Sequence, residues 1–215
     1  MNKISTLYIG TCLLFFASCS CGGGKNKPEA TDEALDSVHT AHDIITEDST
    51  MIYENNTGTW LGQTLNKPTV EWSRFKLVEF WGEDSATERL PLKSAPDFYT
   101  KYAPVLKWSP DSTHILDIGS YGSVVMRNRA GKDTLVHGEP DTEVSILYPK
   151  ESLKKRVLFG GPSVRVLNAI WADSSEVAML TSVEKPDTTK KVHIDTLLWL
   201  IDVKNNFYRK YKWQK

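Results

Sequence analysis

Cysteine is scarce in this chain of 215 residues, and its three copies, Cys12, Cys19 and Cys21, all lie near the amino terminus. The rest of the chain has no disulfide bond available to it and must be held by its core. The motifs of common catalytic and metal sites are missing as well. There is no Gly-x-Ser-x-Gly elbow, no phosphate-binding Gly-rich loop, no His-Glu-x-x-His and no paired-cysteine zinc spacing. We therefore predict no catalytic residues, no bound metal and no cofactor.

A strong excess of either charge is also missing, since the formal net charge is −1. Residues 28–54 hold eight Asp and Glu but no Lys or Arg, which leaves 23 basic and 19 acidic residues in 55–215. This small basic excess does not suit a nucleic-acid-binding face, so no nucleic-acid partner is predicted. The basic residues cluster within 150–156 and 209–215. Such clusters are typical of solvated faces, and contact with anionic lipid headgroups is the alternative.

The apolar stretch at residues 7–16 is too short to cross a bilayer as a permanent helix, which needs ~20 apolar residues. Lys3 precedes the stretch, and the small residues Ala17 and Ser18 follow it. A basic start, a short apolar run and small residues form the pattern of an export signal. Residues 1–18 are therefore predicted to be a signal peptide that the mature protein lacks.

The residues Phe16-Ala17-Ser18-Cys19 resemble the lipobox of bacterial lipoproteins, although Phe16 stands where Leu is usual. The resemblance implies cleavage before Cys19, lipidation of that cysteine and attachment to the cell envelope, with the outer membrane as the expected location. Two or three acyl chains make such an anchor stable. Cys21 is the competing acceptor, but Ser18 takes the place of the bulky apolar residue before it. An ordinary secreted protein with free thiols is the remaining alternative.

Residues 19–54 are predicted to be the lipidated terminus and a flexible, acidic tether, since three consecutive glycines open the segment and few apolar residues follow. The spacing of apolar residues allows a short amphipathic helix over 33–45. His39 and His42 are three residues apart, but two histidines in an acidic tether are not expected to bind a metal.

The remaining residues, 55–215, are predicted to form a single all-β, antiparallel domain, because short runs rich in β-branched and aromatic residues alternate with turn residues. The predicted strands are 75–81, 104–108, 114–118, 123–127, 134–137, 144–148, 156–159, 163–171, 177–183, 192–203 and 207–213. Turn residues predict hairpins at 128–132 and 204–206.

A weak internal repeat relates residues 105–116 to residues 168–179, each of which has a strand ending in Trp, an Asp-Ser turn and a second strand. The first copy contains Trp108-Ser109-Pro110-Asp111, which resembles the signature of β-propeller blades in periplasmic Tol-system proteins. The resemblance implies propeller-like repeats. Two blades cannot close a propeller, so an open sheet or sandwich is the other possibility, and in either case the repeat predicts that the hairpins around Gly131 and Asn205 correspond. A lipocalin-like barrel is the alternative, because Gly58-Thr59-Trp60 resembles the opening of that fold.

Tryptophan is plentiful, with seven copies, and five of them carry a specific prediction. We predict that they pack in the core or between repeats, and stacking on a sugar is the alternative. The five are Trp72, Trp81, Trp108, Trp171 and Trp199.

Asp is followed by Ser or Thr at nine of its 14 positions. Asp-Ser/Thr followed by a small or apolar residue resembles the acceptor motif for periplasmic O-glycosylation in a group of Gram-negative bacteria. The resemblance implies modification at Ser37, Ser49 or Thr188, all in predicted loops. Local turn chemistry is the alternative, since these side chains bond neighbouring backbone groups.

Together these patterns predict a membrane-anchored envelope lipoprotein that acts as a binding or assembly module, with an envelope protein or a glycan as its partner. The first alternative is a carbohydrate or peptidoglycan binder, which the tryptophans favour. The second is a degenerate envelope hydrolase. Its candidate groups would be His114, His137 and His193, or the carboxylate pair Asp111 and Asp117.

Overall fold

The computed structural model describes residues 40–83, 89–186 and 192–214. They form two five-stranded sheets, a separate two-stranded hairpin and short helices, and every strand pairing is antiparallel. The predicted all-β, antiparallel and open architecture is confirmed. Neither sheet closes on itself within the described part of the chain, so the lipocalin-like alternative is wrong. The predicted signal peptide, Cys19 and Cys21 lie outside the described residues.

The described residues form two main helices and twelve strands. The helices are α1 (Ala41–Glu54) and α2 (Thr57–Leu65), with a single turn, α3, at Phe98–Lys101. Sheet 1 has the order β1 (Phe75–Gly82), β12 (Phe207–Trp213), β11 (Val192–Asp202), β10 (Glu176–Pro186), β9 (Val164–Trp171). Sheet 2 has the order β2 (Arg89–Pro91), β8 (Leu153–Gly160), β7 (Thr142–Tyr148), β4 (Ile115–Asp117), β3 (Leu106–Trp108). The hairpin pairs β5 (Ser123–Arg127) with β6 (Asp133–His137).

Sheet 1 is the central layer and is buried on both faces. Side chains alternate across a strand, so neighbouring residues of β10 enter different cores. Ala178 and Leu180 face α1 and α2, whereas Val177 and Met179 face sheet 2. All four are fully buried. Each fully buried side chain of the size of Val or Met contributes ~1.5–3 kcal/mol, so both faces of this sheet stabilise the fold.

Helix α1 forms within the segment that the sequence predicts to be a flexible tether. Thr40 caps it: the Thr40 hydroxyl accepts from the backbone N–H of Asp43, and the Asp43 carboxylate accepts from the backbone N–H of Thr40. Ile44 and Ile52 are buried. The predicted domain boundary at residue 55 is therefore wrong, and the folded region includes residues from Thr40 onward.

Helix α2 contains the Gly58-Thr59-Trp60 segment that resembles a lipocalin opening. Instead of starting a barrel, the segment is helical, and Trp60 is buried in the core between the helices and sheet 1. Asn56 and Asn66 flank the helix in left-handed conformations, with φ of 56° and 53°. Asn tolerates this region better than most residues, so these two positions bound the helix sharply.

The two large sheets have the same order of strands, and the two copies of the predicted repeat lie at corresponding places in them. Each contains a four-stranded meander, β3-β4-β7-β8 or β9-β10-β11-β12, and each takes its fifth strand from earlier in the chain. The registers agree as well: Ile115 lies opposite Leu147 in sheet 2, and Val177 lies opposite Ile201 in sheet 1.

The turns before the last meander strand also match. Tyr148 pairs with Leu153 in sheet 2, as Asp202 pairs with Phe207 in sheet 1, so each turn has four residues. Each ends in a left-handed residue, Ser152 or Asn206. The turn at Ser152 is therefore the counterpart of the turn at Asn205. The predicted equivalence of Gly131 with Asn205 is wrong, because Gly131 lies in the β5–β6 hairpin, an insertion between β4 and β7.

Equivalent residues of the two sheets point the same way along the stack. Val177 and Ile201 of sheet 1 face sheet 2, and their counterparts Ile115 and Leu147 face away from sheet 1. The blades of a β-propeller are stacked in the same way, with equivalent faces of successive sheets pointing in the same direction. Closing such a ring takes typically four or more blades, so these two sheets form an open sandwich.

This stacking explains why the two tryptophans of the repeat differ. Trp171 packs between the sheets, and its Nε1 donates to the carbonyl oxygen of Lys107 at 2.8 Å. Trp108 faces the outer side of sheet 2, where the described chain places no third sheet, and is 48% exposed. The predicted burial of Trp108 is wrong. Trp72 is buried as predicted, and Trp81 and Trp199 are partly buried between the sheets.

Candidate functional site

An open cleft of about 630 Å³ lies between the β5–β6 hairpin and the starts of β7 and β9. Its volume falls within the range of small-molecule sites. Apolar side chains line most of it: Val105, Ile118, Leu135, Val164 and Val166. Polar groups are interspersed at Ser123, His137, Glu139, Thr142 and Arg165. Apolar walls with a few polar groups make this cleft the candidate binding site.

The β5–β6 hairpin forms one wall of the cleft and pairs with neither large sheet. Its two faces differ. Ser123 opposite His137, together with Leu135, lines the cleft, and we call this side the inner face. Val124 opposite Val136 lies on the outer face, which is exposed. The Tyr102 hydroxyl donates to the carbonyl oxygen of Ser123 at 3.0 Å and fixes the base of the hairpin.

His137 and Ser123 are adjacent in the cleft, but they are not arranged as base and nucleophile. The Ser123 hydroxyl donates to the carbonyl oxygen of Gly119 at 2.6 Å and lies 3.1 Å from His137 Nδ1. A hydroxyl has one proton, so the imidazole donates to Ser123 rather than accepting from it. No carboxylate of the described residues is within hydrogen-bond distance of His137 to orient it. The Ser123–His137 hydrogen bond therefore links β5 to β6.

Glu143, at the floor of the cleft, is held as an anion. Its carboxylate accepts from Lys154 Nζ and Ser145 Oγ at 2.9 Å each and forms an ion pair with Arg156. Burial opposes ionisation, but the hydrogen bonds from Lys154 and Ser145 outweigh it and lower the pKa of Glu143. Glu143 is therefore a poor general acid.

Strand β8 places the basic residues 154–156 of the 150–156 cluster on its two opposite faces. Lys154 and Arg156 pair with Glu143, whereas Lys155 is buried on the opposite face, where it contacts Glu83 and the Asn206 side chain at 2.9 Å each. The cluster at 209–215 is neutralised in the same way: Lys210 pairs with Glu79, Lys212 pairs with Asp195, and Arg209 is buried. The described residues of these two clusters therefore form no single cationic face.

The other candidate catalytic residues are dispersed. Asp111 lies in the β3–β4 turn, where hydrogen bonds from Ser109 and Thr113 lower its pKa to about 2. Asp117, at the end of β4, accepts from the backbone N–H of Ser120 at 2.8 Å. Each carboxylate is satisfied by its own turn, so the two form no acid–base pair. The Asp173 turn of the second copy is built similarly, with a 2.6 Å bond from the N–H of Ser175.

The two remaining histidines have structural neighbours. His114 packs edge-on against Tyr148, with ring centroids 5.0 Å apart, and exposed His193 lies 3.0 Å from the carboxylate of Asp195. His42 is exposed on α1. Residues 40–83, 89–186 and 192–214 contain no group of three or more His, Cys, Asp or Glu side chains placed to bind a metal. Within the same residues, no helix has the length and hydrophobicity that a membrane crossing requires.

A buried ionic network joins α1 to sheet 1, and nothing in the sequence pattern predicted it. The guanidinium of Arg209 on β12 lies 3.1 Å from the carboxylate of Asp48 on α1 and also contacts Glu176 on β10. The Tyr211 hydroxyl donates to Asp48. All four side chains are almost fully buried. We call this set the Arg209 network.

The Arg209 network makes stability depend on pH. Burial raises the pKa of Glu176 to about 8, and the carboxylate of Asp48 competes for the same guanidinium. The folded protein thus retains a proton on Glu176 that the unfolded chain, with a pKa near 4.5, has released. By linkage, the free energy of unfolding should fall as pH rises between those two values.

Substituting Glu176→Gln tests this pH dependence. The variant mimics the protonated form, so its stability in urea unfolding should decline less than that of the wild type as the pH is raised toward 8. Glu184→Gln, on the same strand but partly exposed, is the matched control and should keep the slope of the wild type. If the free energy of unfolding depended on pH equally in the wild type and in Glu176→Gln, the raised pKa of Glu176 would be contradicted.

The predicted glycosylation sites fall mostly outside the described residues, as Ser37 and Thr188 do. Ser49 is described, but it lies in α1 rather than in a loop, and the preceding Asp48 is buried in the Arg209 network. Ser49 is therefore not in the loop setting that the prediction assumed.

Comparison with protein-family models, with curated proteins and with solved structures finds no match to this chain.

Proposed function

We propose that this chain is a lipid-anchored lipoprotein of the cell envelope, expected at the outer membrane, that acts as a binding or assembly module. The cleft beneath the β5–β6 hairpin supports the binding role. The volume of the cleft suits a small ligand and its walls are mostly apolar. The hairpin, whose base is hydrogen-bonded to Tyr102, forms one side of it. The lipobox-like residues that end at Cys19 support the anchor.

The chemistry of the cleft favours binding over catalysis. Ser123 and His137 bond each other in the unproductive direction, and Glu143 is neutralised by two cations. Rigid scaffolds commonly present such clefts and hairpins to partners. The partner we propose is an apolar segment of an envelope protein, which would enter the cleft against Leu135 and Val164.

Leu135→Asp tests the cleft, because it places a charge on an apolar wall. The partner is first cross-linked in intact cells and identified by mass spectrometry, and its affinity is then measured with purified proteins. Leu135→Asp should weaken binding by about tenfold or more. Val192→Asp, on an exposed apolar residue away from the cleft, should change it little. Equal affinities for both variants would exclude the cleft as the binding site.

A second candidate function, carbohydrate binding, is favoured by one observation. Trp108 is 48% exposed on the outer side of sheet 2, and the Tyr99 ring lies 6.1 Å away, centroid to centroid. Aromatic rings with one free apolar face suit stacking on a sugar. The polar rim that a sugar would need is supplied nearby by the β3–β4 turn around Asp111.

Trp108→Ala separates this role from a structural one. Because the ring is exposed, the free energy of unfolding should change by less than about 0.5 kcal/mol. If a glycan binds here, its affinity on a glycan array or by calorimetry should be lost. Trp72→Ala is the matched control, since the same truncation in the buried core should destabilise the fold. Undiminished glycan binding by Trp108→Ala would contradict the second candidate function.

A further inference from the structure

The outer face of the β5–β6 hairpin carries a small, contiguous apolar surface. Val124 and Val136 lie directly opposite each other and are 52% and 40% exposed. Met126, two residues along β5 on the same face, is 55% exposed. Scattered exposed apolar residues are ordinary, whereas this cross-strand pair and the neighbouring Met place three apolar side chains next to one another on one face.

Exposed apolar residues at the sheet edges have a different explanation. Val78 on β1 and Leu167 on β9 are the extra residues of β-bulges, where the register shifts by one. Bulges at edge strands hinder the addition of a further strand. Asn168 Oδ1 also accepts from the N–H of Ala169 on that strand. These edges are blocked, whereas β5 and β6 show no bulge.

The tip of the hairpin carries two exposed cations, Arg129 and Lys132. Arg129 and Lys132 are exposed and form no salt bridge with any residue that the structure describes. The turn that holds them is ordered: Asn128 Oδ1 accepts from the N–H of Lys132 at 2.9 Å, and Gly131 supplies a positive φ of 76°. The charges are therefore presented at a defined place beside the apolar patch.

Apolar side chains bordered by free cations are the chemistry of an anionic lipid surface, where cations meet headgroups and apolar groups enter the boundary below. We propose that the β5–β6 hairpin docks on an anionic phospholipid bilayer, with Val124, Met126 and Val136 inserted and Arg129 and Lys132 at the headgroups. This goes beyond the proposed function and does not depend on lipidation of Cys19. Because the inner face of the hairpin lines the cleft, docking would hold the cleft close to the membrane.

The test places a photo-reactive phenylalanine analogue at Met126 in the full chain. The protein is mixed with phosphatidylcholine vesicles with or without phosphatidylglycerol, illuminated, and its lipid adducts are counted by mass spectrometry. The yield at Met126 should be about tenfold higher with phosphatidylglycerol, since two cations at an anionic surface each favour binding several-fold. The same analogue at exposed Gln63 on α2 reports proximity unrelated to the hairpin and should show no such preference.

Charge removal completes the test. Arg129→Gln with Lys132→Gln should abolish most of the preference for phosphatidylglycerol at Met126, and circular dichroism should be unchanged because both side chains are exposed. Lys67→Gln with Lys204→Gln removes two exposed charges elsewhere and should leave the preference intact. Equal yields on both vesicle types, or insensitivity to the tip substitution, would overturn the proposal. Adducts with a second copy of the chain in place of lipid would overturn it in favour of self-association.

Discussion

Replacing Arg209 with Met should lower the free energy of unfolding by about 3–5 kcal/mol. Met retains much of the apolar stem of Arg but removes the guanidinium that lies between Asp48 and Glu176. The buried Asp48 carboxylate would then lack its cation, and Glu176, which burial keeps protonated at neutral pH, would lose its hydrogen-bond partner. A stranded buried charge of this kind is costly. Because Asp48 belongs to α1, the helix should also separate from sheet 1 more readily. Urea unfolding at neutral pH measures the loss, and protease sensitivity of residues 41–54 measures the separation.

Arg127→Met is the matched control for this prediction. Arg127 pairs with Asp133 at 3.2 Å, but both side chains are largely exposed, so the substitution should cost less than about 1 kcal/mol. Adding Asp48→Asn to Arg209→Met should recover part of the lost stability, because it removes the stranded charge. Equal losses for Arg209→Met and Arg127→Met would show that the buried network does not hold the helix.

The Arg209 network shows a limit of reading residues one at a time. Asp48 falls in an acidic segment, Arg209 in a basic cluster and Glu176 directly before a predicted strand. Each has an ordinary explanation in its own stretch of sequence. The network exists because the fold brings together residues up to 163 positions apart, and no local pattern encodes such a contact.

The strands were predictable because their signal is local. Each of the eleven predicted strands has a counterpart in the structure, with ends that differ by three residues or fewer. The strand that was not predicted, β2, has three residues and ends in Pro91, so it presents no alternation to detect. Helix α2 was missed for a related reason: its nine residues include two glycines and three threonines, which favour helices weakly.

The candidate site was only partly predictable. The sequence singled out His137, and the structure places that residue in the cleft, but Ser123, Glu143 and Arg165 had no motif to mark them. The cleft exists because the β5–β6 hairpin is inserted into the sheet 2 meander, a feature that the repeat in the sequence does not contain. The repeat did predict two equivalent sheets. It could not predict that Trp108 would be exposed, since that depends on what covers the outer side of sheet 2.

The lipid anchor at Cys19 is the central claim of the proposed function. Removing this cysteine should have an all-or-none effect on lipidation and processing. Cleavage before Cys19 would remove the only apolar stretch of export-signal type and leave two or three acyl chains as the membrane attachment. Cys19→Ala should therefore abolish both lipid incorporation and cleavage. Cys21→Ala, which alters a cysteine two residues away without the lipobox-like context, should preserve both.

Mass spectrometry of the amino-terminal peptide of the purified protein tests this claim most directly. We expect a mature chain that begins at Cys19 and carries a diacylglyceryl group on its sulfur, usually with a further acyl chain on its amino group. The corresponding palmitate-analogue label should disappear in Cys19→Ala and remain in Cys21→Ala. A mature chain that begins at any other residue, or an unmodified Cys19, would contradict it.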